Sequence, residues 1–390
     1  MRISSCFAVL LPLMFLPKST DAALDPDIAN LVAQVSADSI EFTIRKLVGF
    51  DTRFIGSDSN AAASRWLGDR FQRMGYGNVR FDTFLVNQDR TYRVTLDSGE
   101  VFHRFVFQNA EQRNVIATKP GTLHQERKLV LGGHFDSISI DRTQTSQDLA
   151  PGADDNATGI AAIIEVARVL RDADLEMTVE FVLFGAEELG LIGSQDYVKR
   201  SRESGDEIQL MLTLDSIGTR SPRFPDAFSL DTIHPYAELG DLVALAADEY
   251  TDLSARNGSG GTVVITNRGC RCSDHQSFID GGYPGIGVFQ YVSNPASHLN
   301  TSVDTLGGVD ITLVHGIAQA VLASAAKLGA YPGRTADFEG NGEVGFEDFV
   351  LFVEGFGGSD TTYDLDRDGN VAFSDFIIFA KNYGRIFNPS

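Results

Sequence analysis

Residues 128–184 hold the pattern that decides the fold: KLVLG at 128–132, ATGIAAIIEVARVLRDA at 157–173 and TVEFVLF at 178–184. The first and last stretches are nearly continuous apolar runs, which are typical of strands buried on both faces. The middle stretch repeats its apolar residues every three or four positions, which predicts a helix with one buried face. Strand, helix and strand in this order predict a right-handed parallel crossover. In such sheets ligands bind outside the carboxyl ends of the strands.

The same alternation extends over most of the chain. Apolar runs at 209–214 and 285–291 predict two more buried strands, and segments 24–50 and 60–76 have the apolar spacing of surface helices. Residues 23–330 are therefore predicted to form one α/β unit, a mostly parallel mixed sheet sandwiched by helices. The 390 residues are 43% hydrophobic and 22% charged, which is the balance of a globular protein.

Charge and cysteine content exclude several classes of protein. The chain has 32 Lys and Arg against 53 Asp and Glu, a net charge of −21, which repels phosphate backbones and anionic lipid headgroups. Nucleic-acid binding is therefore not expected. Three cysteines, one of them in the N-terminal leader, cannot form a disulfide framework. The remaining pair, Cys270 and Cys272, is so closely spaced that a disulfide would be strained, and thiols are expected.

The first 22 residues have the features of a secretory signal peptide. Arg2 precedes an apolar run at 7–16, and the polar stretch after it ends in the small residues Thr20 and Ala22. The run is about half as long as a bilayer span requires, and no later segment is expected to approach that length. The sequence predicts a soluble exported protein, with a leader retained as a membrane anchor as the alternative.

Polar side chains follow each of the predicted strands. The residues concerned are His134, Asp136, Asp154, Asp155, Glu187, Glu188, Asp215 and His298. Imidazole and carboxylate without thiolate form the ligand set of zinc or a neighbouring divalent metal. Because clustered carboxylates without a cation raise one another's pKa values and cost stability, the pattern indicates a metal site at one edge of the sheet.

Six motifs carry a resemblance to a known family. GHFDS, PGADDNATG, FGAEELGLIGS, LDSIG, SDHQSF and SHLNTSVDT occur in this order within residues 51–322. Together they resemble the secreted di-zinc aminopeptidases, metallopeptidase family twenty-eight, of the bacterial leucyl aminopeptidase type. The resemblance implies a phosphorylase/hydrolase-like zinc exopeptidase fold. It also implies a zinc-dependent aminopeptidase that removes large apolar N-terminal residues from peptides with a free amino group.

The resemblance also assigns roles to individual residues. It implies a pair of zinc ions held by His134, Asp155, Glu188, Asp215 and His298. Asp155 would bridge the two ions and precede a cis peptide bond. Glu187 would act as the general base that takes a proton from water and delivers it to the leaving amine. Asp136, counted with Glu187 among the catalytic residues, would accept the other ring N–H of His134 and fix its tautomer.

Several alternatives stay open beside this assignment. A single-zinc glutaminyl-peptide cyclase would use a comparable ligand set, and an inactive α/β unit would leave a calcium-dependent scaffold or adhesion protein. A carboxypeptidase is disfavoured because no arginine is clearly placed to hold a terminal carboxylate, although Arg271 keeps it open. His275 in SDHQSF is interpreted as a structural residue. The C-x-x-x-C disulfide of some relatives cannot form here, and Arg271 is expected to direct a positive charge at the cleft.

The end of the chain is an acidic internal duplication. Residues 334–390 contain eleven acidic and four basic residues, and DFEGNGEVGFEDFVLFVEGFG repeats as DLDRDGNVAFSDFIIFAKNYG with an offset of 27 residues. Each copy fits an EF-hand-type calcium loop, with oxygen ligands at alternate positions and a glycine at the sharp turn. The predicted calcium ligands are Asp337, Glu339, Asn341, Glu343 and Asp348, then Asp364, Asp366, Asp368, Asn370 and Asp375.

The aspartate that closes each loop and the Phe-rich segment after it resemble a type I dockerin. The resemblance implies a small all-α domain at 337–387 after a linker at 331–336, two bound Ca²⁺ ions, and docking to a cohesin-type receptor on a scaffold or cell surface. A calcium-stabilised cap with no partner is the alternative. Such a short tail has little core, so calcium is expected to hold it folded.

Overall fold

The computed structural model describes most of the chain between residues 24 and 384. The described residues are 24–96, 99–122, 124–141, 146–173, 175–255, 264–266, 270–291, 298–330, 336, 338–339, 341, 344–360, 362–365 and 369–384. The predicted leader at 1–22 and most of the predicted linker lie outside them. So do four of the predicted calcium ligands: Asp337, Glu343, Asp366 and Asp368.

Nine strands of the described chain form a single mixed sheet. They are β1 (Val79–Leu96), β2 (Gly99–Lys119), β3 (His124–His134), β4 (Met177–Phe184), β5 (Glu207–Leu214), β6 (Ala227–Ile233), β7 (Ser254–Ala255), β8 (Val264–Thr266) and β9 (Gly285–Gln290). Their order is β1-β2-β4-β3-β5-β9-β6-β7, with β8 on β6. The four strands predicted from apolar runs, β3, β4, β5 and β9, pair in parallel at the centre. The outer pairs β1/β2, β2/β4 and β6/β9 are antiparallel, so the predicted mixed sheet is confirmed.

Ten α-helices lie in the described residues. They are α1 (Pro26–Val32), α2 (Ala37–Val48), α3 (Asp58–Arg73), α4 (Gly159–Leu170), α5 (Ile192–Ser204), α6 (Ala237–Tyr250), α7 (His275–Gly281), α8 (Ile311–Ala330), α9 (Phe346–Gly355) and α10 (Phe373–Asn382). Helix α4 connects the parallel strands β3 and β4, as predicted. Segment 24–50 forms two helices because Ser36 caps α2, its hydroxyl accepting the N–H of Ser39 at 3.2 Å.

Helices cover both faces of the sheet. Leu129 and Leu131 of β3 belong to the main core, which includes the buried faces of α2, α4, α6 and α8. Val130 faces the opposite way and packs in a second core with residues of α5 and α7. This alternation follows from the two-residue period of a strand, and it leaves the carboxyl ends of the central strands as the place for a site.

Helix α8 requires a correction to the expectation about membrane spans. Within it, Ile311–Gly329 is long and apolar enough to cross a bilayer by length and composition, and it is the only such helix in the described part of the chain. Two-thirds of its apolar window (67%) is buried inside the protein, where it packs against α4 and α6. Its apolarity is therefore that of a core helix.

The tail has a small core of its own. Its buried residues are Ala336, Val344, Phe352, Leu365, Val371 and Phe379. Leu365, Val371 and Phe379 of the second repeat are equivalent to Phe338, Val344 and Phe352 of the first repeat, and all of them belong to this core. Asp348 and Asp375 are fully buried in the first turns of α9 and α10, where their carboxylates accept backbone N–H groups. Ala336, in the predicted linker, is buried in this same core.

Candidate metal centre

His134 is the centre of the predicted site. It is the last residue of β3 and only 1% exposed, because it closes a buried strand. Its Nε2 lies 3.1 Å from Oδ1 of Asp155, 3.6 Å from Oδ1 of Asp215 and 4.0 Å from Oε2 of Glu187. One ligand atom each from His134, Asp155 and Glu188 lie within 4.8 Å of one another. The structure thus brings four predicted ligands and the predicted base to one place.

The turn before α4 presents Asp155 to the cluster. Gly152 adopts φ 52°, and a Cβ there would lie 2.3 Å from the carbonyl oxygen of Asp155, so only glycine fits. The peptide bond between Asp155 and Asn156 is cis, as the resemblance implies. The Asn156 amide donates to the carbonyl of Leu214 at 2.8 Å and accepts the N–H of Ser216 at 3.3 Å. The α4 turn is thereby tied to the end of β5, where Asp215 lies.

Asp304, whose role was not predicted, stabilises the same turn before α4. Its carboxylate accepts the backbone N–H groups of Asp154 at 2.9 Å and Asp155 at 3.0 Å. Burial raises the pKa of Asp304 to about 7, although these two hydrogen bonds act in the opposite direction. Asp304 lies in the SHLNTSVDT motif, so the sequence contained the signal but not the role.

Asp136 positions the turn that carries the two glutamates. Its Oδ1 accepts the N–H of Glu187 at 3.0 Å and its Oδ2 accepts that of Glu188 at 3.2 Å. The predicted bond from His134 to this carboxylate needs correction. Nδ1 of His134 lies 3.1 Å from the backbone oxygen of Asp136 and 3.7 Å from Oδ1. Because two backbone donors occupy the carboxylate, the carbonyl takes the imidazole and fixes its tautomer.

His298 lies apart from its predicted position beside Glu188. Its Nε2 is 3.1 Å from Oδ2 of the fully buried Asp154 and 3.3 Å from the hydroxyl of Thr219. The hydrogen bond to Asp154 and the charge of that carboxylate raise the pKa of His298. The Glu188 carboxylate is faced by Asn300, whose amide nitrogen lies 2.8 and 3.1 Å from its two oxygens once the amide is oriented to satisfy both groups.

The expectation of free thiols is wrong. Cys270 and Cys272 form a disulfide, and their Cα atoms are 5.1 Å apart, within the ordinary range for a disulfide. The intervening Arg271 adopts φ 55°, a left-handed conformation that reverses the chain and brings the two residues together. Spacing along the sequence could not reveal this turn, because it depends on one unusual backbone conformation.

The electrostatics of the cluster favour cations. Burial raises the pKa of Glu187 and Glu188 well above the usual value, and neighbouring carboxylates raise both further. Burial also raises the pKa of Asp155. For His134 burial lowers the pKa, but Glu187 and Asp215 outweigh it, so the net shift is well upward. Acids that repel one another in a buried cavity, around an imidazole, are the donor set that fits zinc.

A buried arginine lies behind the cluster. Arg53 is 0% exposed and donates to four carbonyls: Phe135 at 2.7 Å, Pro151 at 2.6 Å, Gly152 at 2.9 Å and Leu47 at 3.3 Å. Burial lowers its pKa to about 10, and the carboxylates of the site, Asp304 first, raise it. The guanidinium thus connects the chain after His134 to the chain before Asp155. It belongs to no motif, and its partners are backbone atoms, so no sequence pattern could indicate its role.

The cluster opens into a cavity of about 390 Å³. Its lining includes Arg90, Tyr92, Glu187, Arg271, Gln276, Asp280 and Asn300. Tyr92 donates its hydroxyl to the carbonyl of Glu188, and the Arg90 guanidinium lies 5.2 Å from the Tyr92 ring centroid. Both residues come from β1, which is not among the strands predicted from apolar runs. A polar cavity beside a buried imidazole–carboxylate cluster, at the carboxyl ends of parallel strands, defines a metallohydrolase-type site.

Comparisons with known proteins agree with this class. The sequence profile of peptidase family M28 matches residues 114–325, which is more than half of the chain. The chain therefore belongs to that family. The chain is 26% identical over 304 residues to a probable zinc metalloprotease of Pyrenophora tritici-repentis, covering 68% of this chain and 66%, just under two thirds, of the relative. It is 26% identical over 324 residues to a probable leucine aminopeptidase of Trichophyton verrucosum, covering 81% of this chain and 77% of the relative.

A solved structure gives the same fold. The zinc aminopeptidase BSAP from Bacillus subtilis superimposes with a TM-score of 0.61 at 15% identity, covering 76% of this chain and 96% of that one. The predicted enzyme class, a zinc-dependent aminopeptidase, is confirmed by the family and by these relatives.

Proposed function

We propose that the chain hydrolyses the first peptide bond of peptides with a free amino group, using a pair of zinc ions and Glu187 as general base. The observation that carries the proposal is that carboxylate oxygens of Asp155, Asp215 and Glu187 lie within 4.0 Å of Nε2 of His134, in one cavity. The ligands would be His134, Asp155, Glu188 and Asp215. His298 would complete the set after its ring leaves Asp154.

The residues of the chain divide the chemistry among them. Bound zinc supplies Lewis acidity, which polarises a scissile carbonyl and acidifies water. The carboxylate of Glu187 accepts the proton of the attacking water at Oε2 and then gives it to the leaving amine. Asp136 holds the backbone of Glu187 in place, and the raised pKa of Glu187 suits a group that both takes and returns a proton.

The cavity suits an ammonium group at its acidic end. Glu187, which is not among the proposed zinc ligands, lines this end of the cavity, so a free N-terminal ammonium is attracted and an acetylated N-terminus is not. A preference for large apolar N-terminal residues is supported by the similarity to a probable leucine aminopeptidase.

An assay on leucine anilide and N-acetyl-leucine anilide tests the proposal. We expect hydrolysis of the free amine alone, loss of activity with a chelator, and two zinc ions per chain. Glu187→Gln should lower kcat by about 10²-fold or more while both zinc ions stay bound. Its matched neighbour Glu188→Gln should lose zinc as well. Equal rates on both anilides would refute an aminopeptidase, and one zinc per chain would favour the glutaminyl cyclase alternative.

We propose further that the tail binds calcium and attaches the enzyme to a receptor. Support comes from the duplicated loops and from the two helices, each of which has a buried aspartate in its first turn, at the predicted last ligand position. Phe346 and Phe373, at equivalent positions of the two repeats, are 63% and 66% exposed and would offer a paired contact surface. Calorimetry should give two Ca²⁺ ions per chain, and Asp364→Asn should remove one. No heat of binding would contradict the calcium sites.

We also propose that the chain is exported through its N-terminal leader. The support is the charged, apolar and small-residue order of residues 1–22. The first residue of the mature protein, identified by mass spectrometry of protein from the culture medium, should be near Ala23. An intact Met1 in an internal fraction would contradict export.

A further inference from the structure

A second cluster of metal-ligating side chains lies apart from the catalytic ligands. Asp231 belongs to β6, Cys270 precedes α7, and His275 is the first residue of α7. One atom of each, a carboxylate oxygen, the sulfur and a ring nitrogen, lie within 4.8 Å of one another. Oδ2 of Asp231 is 3.0 Å from Nε2 of His275, and Sγ of Cys270 is 3.8 Å from the same nitrogen.

The two buried members of this cluster are held in place. His275 is 0% and Asp231 6% exposed. A Cβ on Gly287 would lie 2.8 Å from Cε1 of His275, and Phe289 contacts the ring edge-on with centroids 5.8 Å apart. The backbone N–H of Cys270 donates to Oδ2 of Asp231 at 2.8 Å, which fixes the start of the cysteine segment on the carboxylate. Little rearrangement is therefore needed to present all three ligand atoms together.

The distances fit one divalent ion. In a tetrahedral site with Zn–S of about 2.3 Å and Zn–N or Zn–O of about 2.0–2.1 Å, sulfur and nitrogen are about 3.6 Å apart and nitrogen and oxygen about 3.3 Å. The observed separations are 3.8 and 3.0 Å. Mixed sulfur, nitrogen and oxygen ligation suits zinc. It also suits cadmium, because cadmium has a high affinity for thiolate.

The disulfide decides whether the third ligand is available. In the structure the sulfur of Cys270 is bonded to Cys272, and both residues are exposed. A dithiol reductant can therefore reach the bond: its two electrons and two protons convert the disulfide to two thiols, and the reductant becomes a disulfide. Cys270 then loses its proton to solvent as its thiolate binds a cation.

We propose that Asp231, Cys270 and His275 form a redox-gated site for a zinc-type divalent ion, closed by the disulfide and opened by its reduction. Three protein ligands leave a fourth position for water. The site adjoins the catalytic cavity, because Arg271 and Cys272, which follow Cys270 in the chain, both line that cavity. It differs from the catalytic cluster in having a thiolate, and this difference gives it a specific spectroscopic signature.

Two matched variants test the proposal. Cys270→Ser and Cys272→Ser both abolish the disulfide, but only Cys272→Ser keeps the Cys270 thiol. Full-length zinc-loaded protein is titrated with Cd²⁺, and the ultraviolet thiolate-to-cadmium charge-transfer band is recorded. Cys272→Ser should gain one band-forming equivalent that Cys270→Ser lacks. The unsubstituted chain should gain it only after treatment with a phosphine, which supplies the two electrons and becomes its oxide, while one water molecule supplies the oxygen and the two protons of the thiols.

The remaining ligands are tested in the Cys272→Ser background. Asp231→Asn or His275→Gln should weaken cadmium binding by about tenfold or more, since loss of even an outer partner has that effect at zinc sites. Bound ion should also protect Cys270 from a disulfide-exchange reagent. Equal bands in the two cysteine variants would overturn the proposal. An unchanged affinity after Asp231→Asn in folded protein would also overturn it, because Asp231 would then not be a ligand.

Discussion

Replacement of Arg53 by methionine is the most informative test of how the site is supported. The substitution keeps an unbranched side chain of similar length but removes four hydrogen bonds to the carbonyls of Phe135, Pro151, Gly152 and Leu47. Phe135, Pro151 and Gly152 lie in the segments that follow His134 or precede Asp155, and Leu47 belongs to α2. Without the guanidinium, buried carbonyls lose their donors and the carboxylates of the site lose their fixed positive charge.

The structure allows the cost to be bounded. Each hydrogen bond to a charged group is worth about 1.5–3 kcal/mol, but four bonds from one side chain are not additive. Burial of the charge also has a cost, which the lowered pKa of about 10 reflects. Breaking a buried charged network typically costs about 3–5 kcal/mol, and we expect that loss in the free energy of unfolding. Arg53→Lys should lose about half as much, because three donors on a flexible stem cannot reproduce the planar fork.

The assay is urea unfolding followed by tryptophan fluorescence. Trp66 is the only tryptophan of the chain and packs against the main core from α3, so it reports on the catalytic unit. Arg45→Met is the matched control, since Arg45 is exposed and pairs with Glu41 one turn away; it should change stability by less than about 0.5 kcal/mol. If Arg53→Met and Arg45→Met unfold at the same urea concentration, the supporting role of Arg53 is refuted.

Three further predictions concern the frame around the site. Glu180→Gln should cost about 1–3 kcal/mol at pH 7, because burial raises the pKa of Glu180 but Arg80 and Lys128 outweigh it, leaving the pKa below its usual value. This stabilisation is complete above the pKa of about 4.3 that a glutamate has in the unfolded chain, and it is lost as the pH falls through the lower pKa that Glu180 has in the folded protein. The acid denaturation curves of the Glu180→Gln variant and of the unsubstituted protein should therefore converge. Gly159→Ala should cost about 1–3 kcal/mol or more, measured by thermal unfolding, since its Cβ would lie 2.3 Å from the carbonyl oxygen of Leu214. Asp136→Asn should lower stability by about 1–3 kcal/mol and reduce kcat, because one of two buried N–H groups loses its acceptor; unchanged kcat would contradict its positioning role.

The sequence was most informative where burial is continuous. Strands β3, β4, β5 and β9 lie in the centre of the sheet, so their apolar runs are nearly continuous and can be recognised in the sequence. The hairpin of β1 and β2 was missed because it is an edge structure whose exposed residues include Leu85 and Phe102 as well as charges, so neither face shows a clear period. Residues Arg90 and Tyr92 of the cavity wall were missed with it.

The site was predictable where a side chain belongs to a motif and unpredictable where it acts through the backbone. The structure brings His134, Asp155, Glu188 and Asp215 together, as the ordered motifs suggested. Arg53 binds carbonyls, which leave no trace in a sequence. His298 differs from expectation because its ring forms a hydrogen bond with the buried Asp154 and not with Glu188. Only the three-dimensional arrangement shows this contact.

The central proposition is that these side chains share two zinc ions, and anomalous diffraction at the zinc absorption edge tests it most directly. Crystals of the zinc-loaded chain should give two strong peaks in the cavity, one against His134 and Asp215, the other against Glu188, with Asp155 touching both. Glu187 should touch neither. A single peak, or peaks away from His134, would contradict the proposed mechanism.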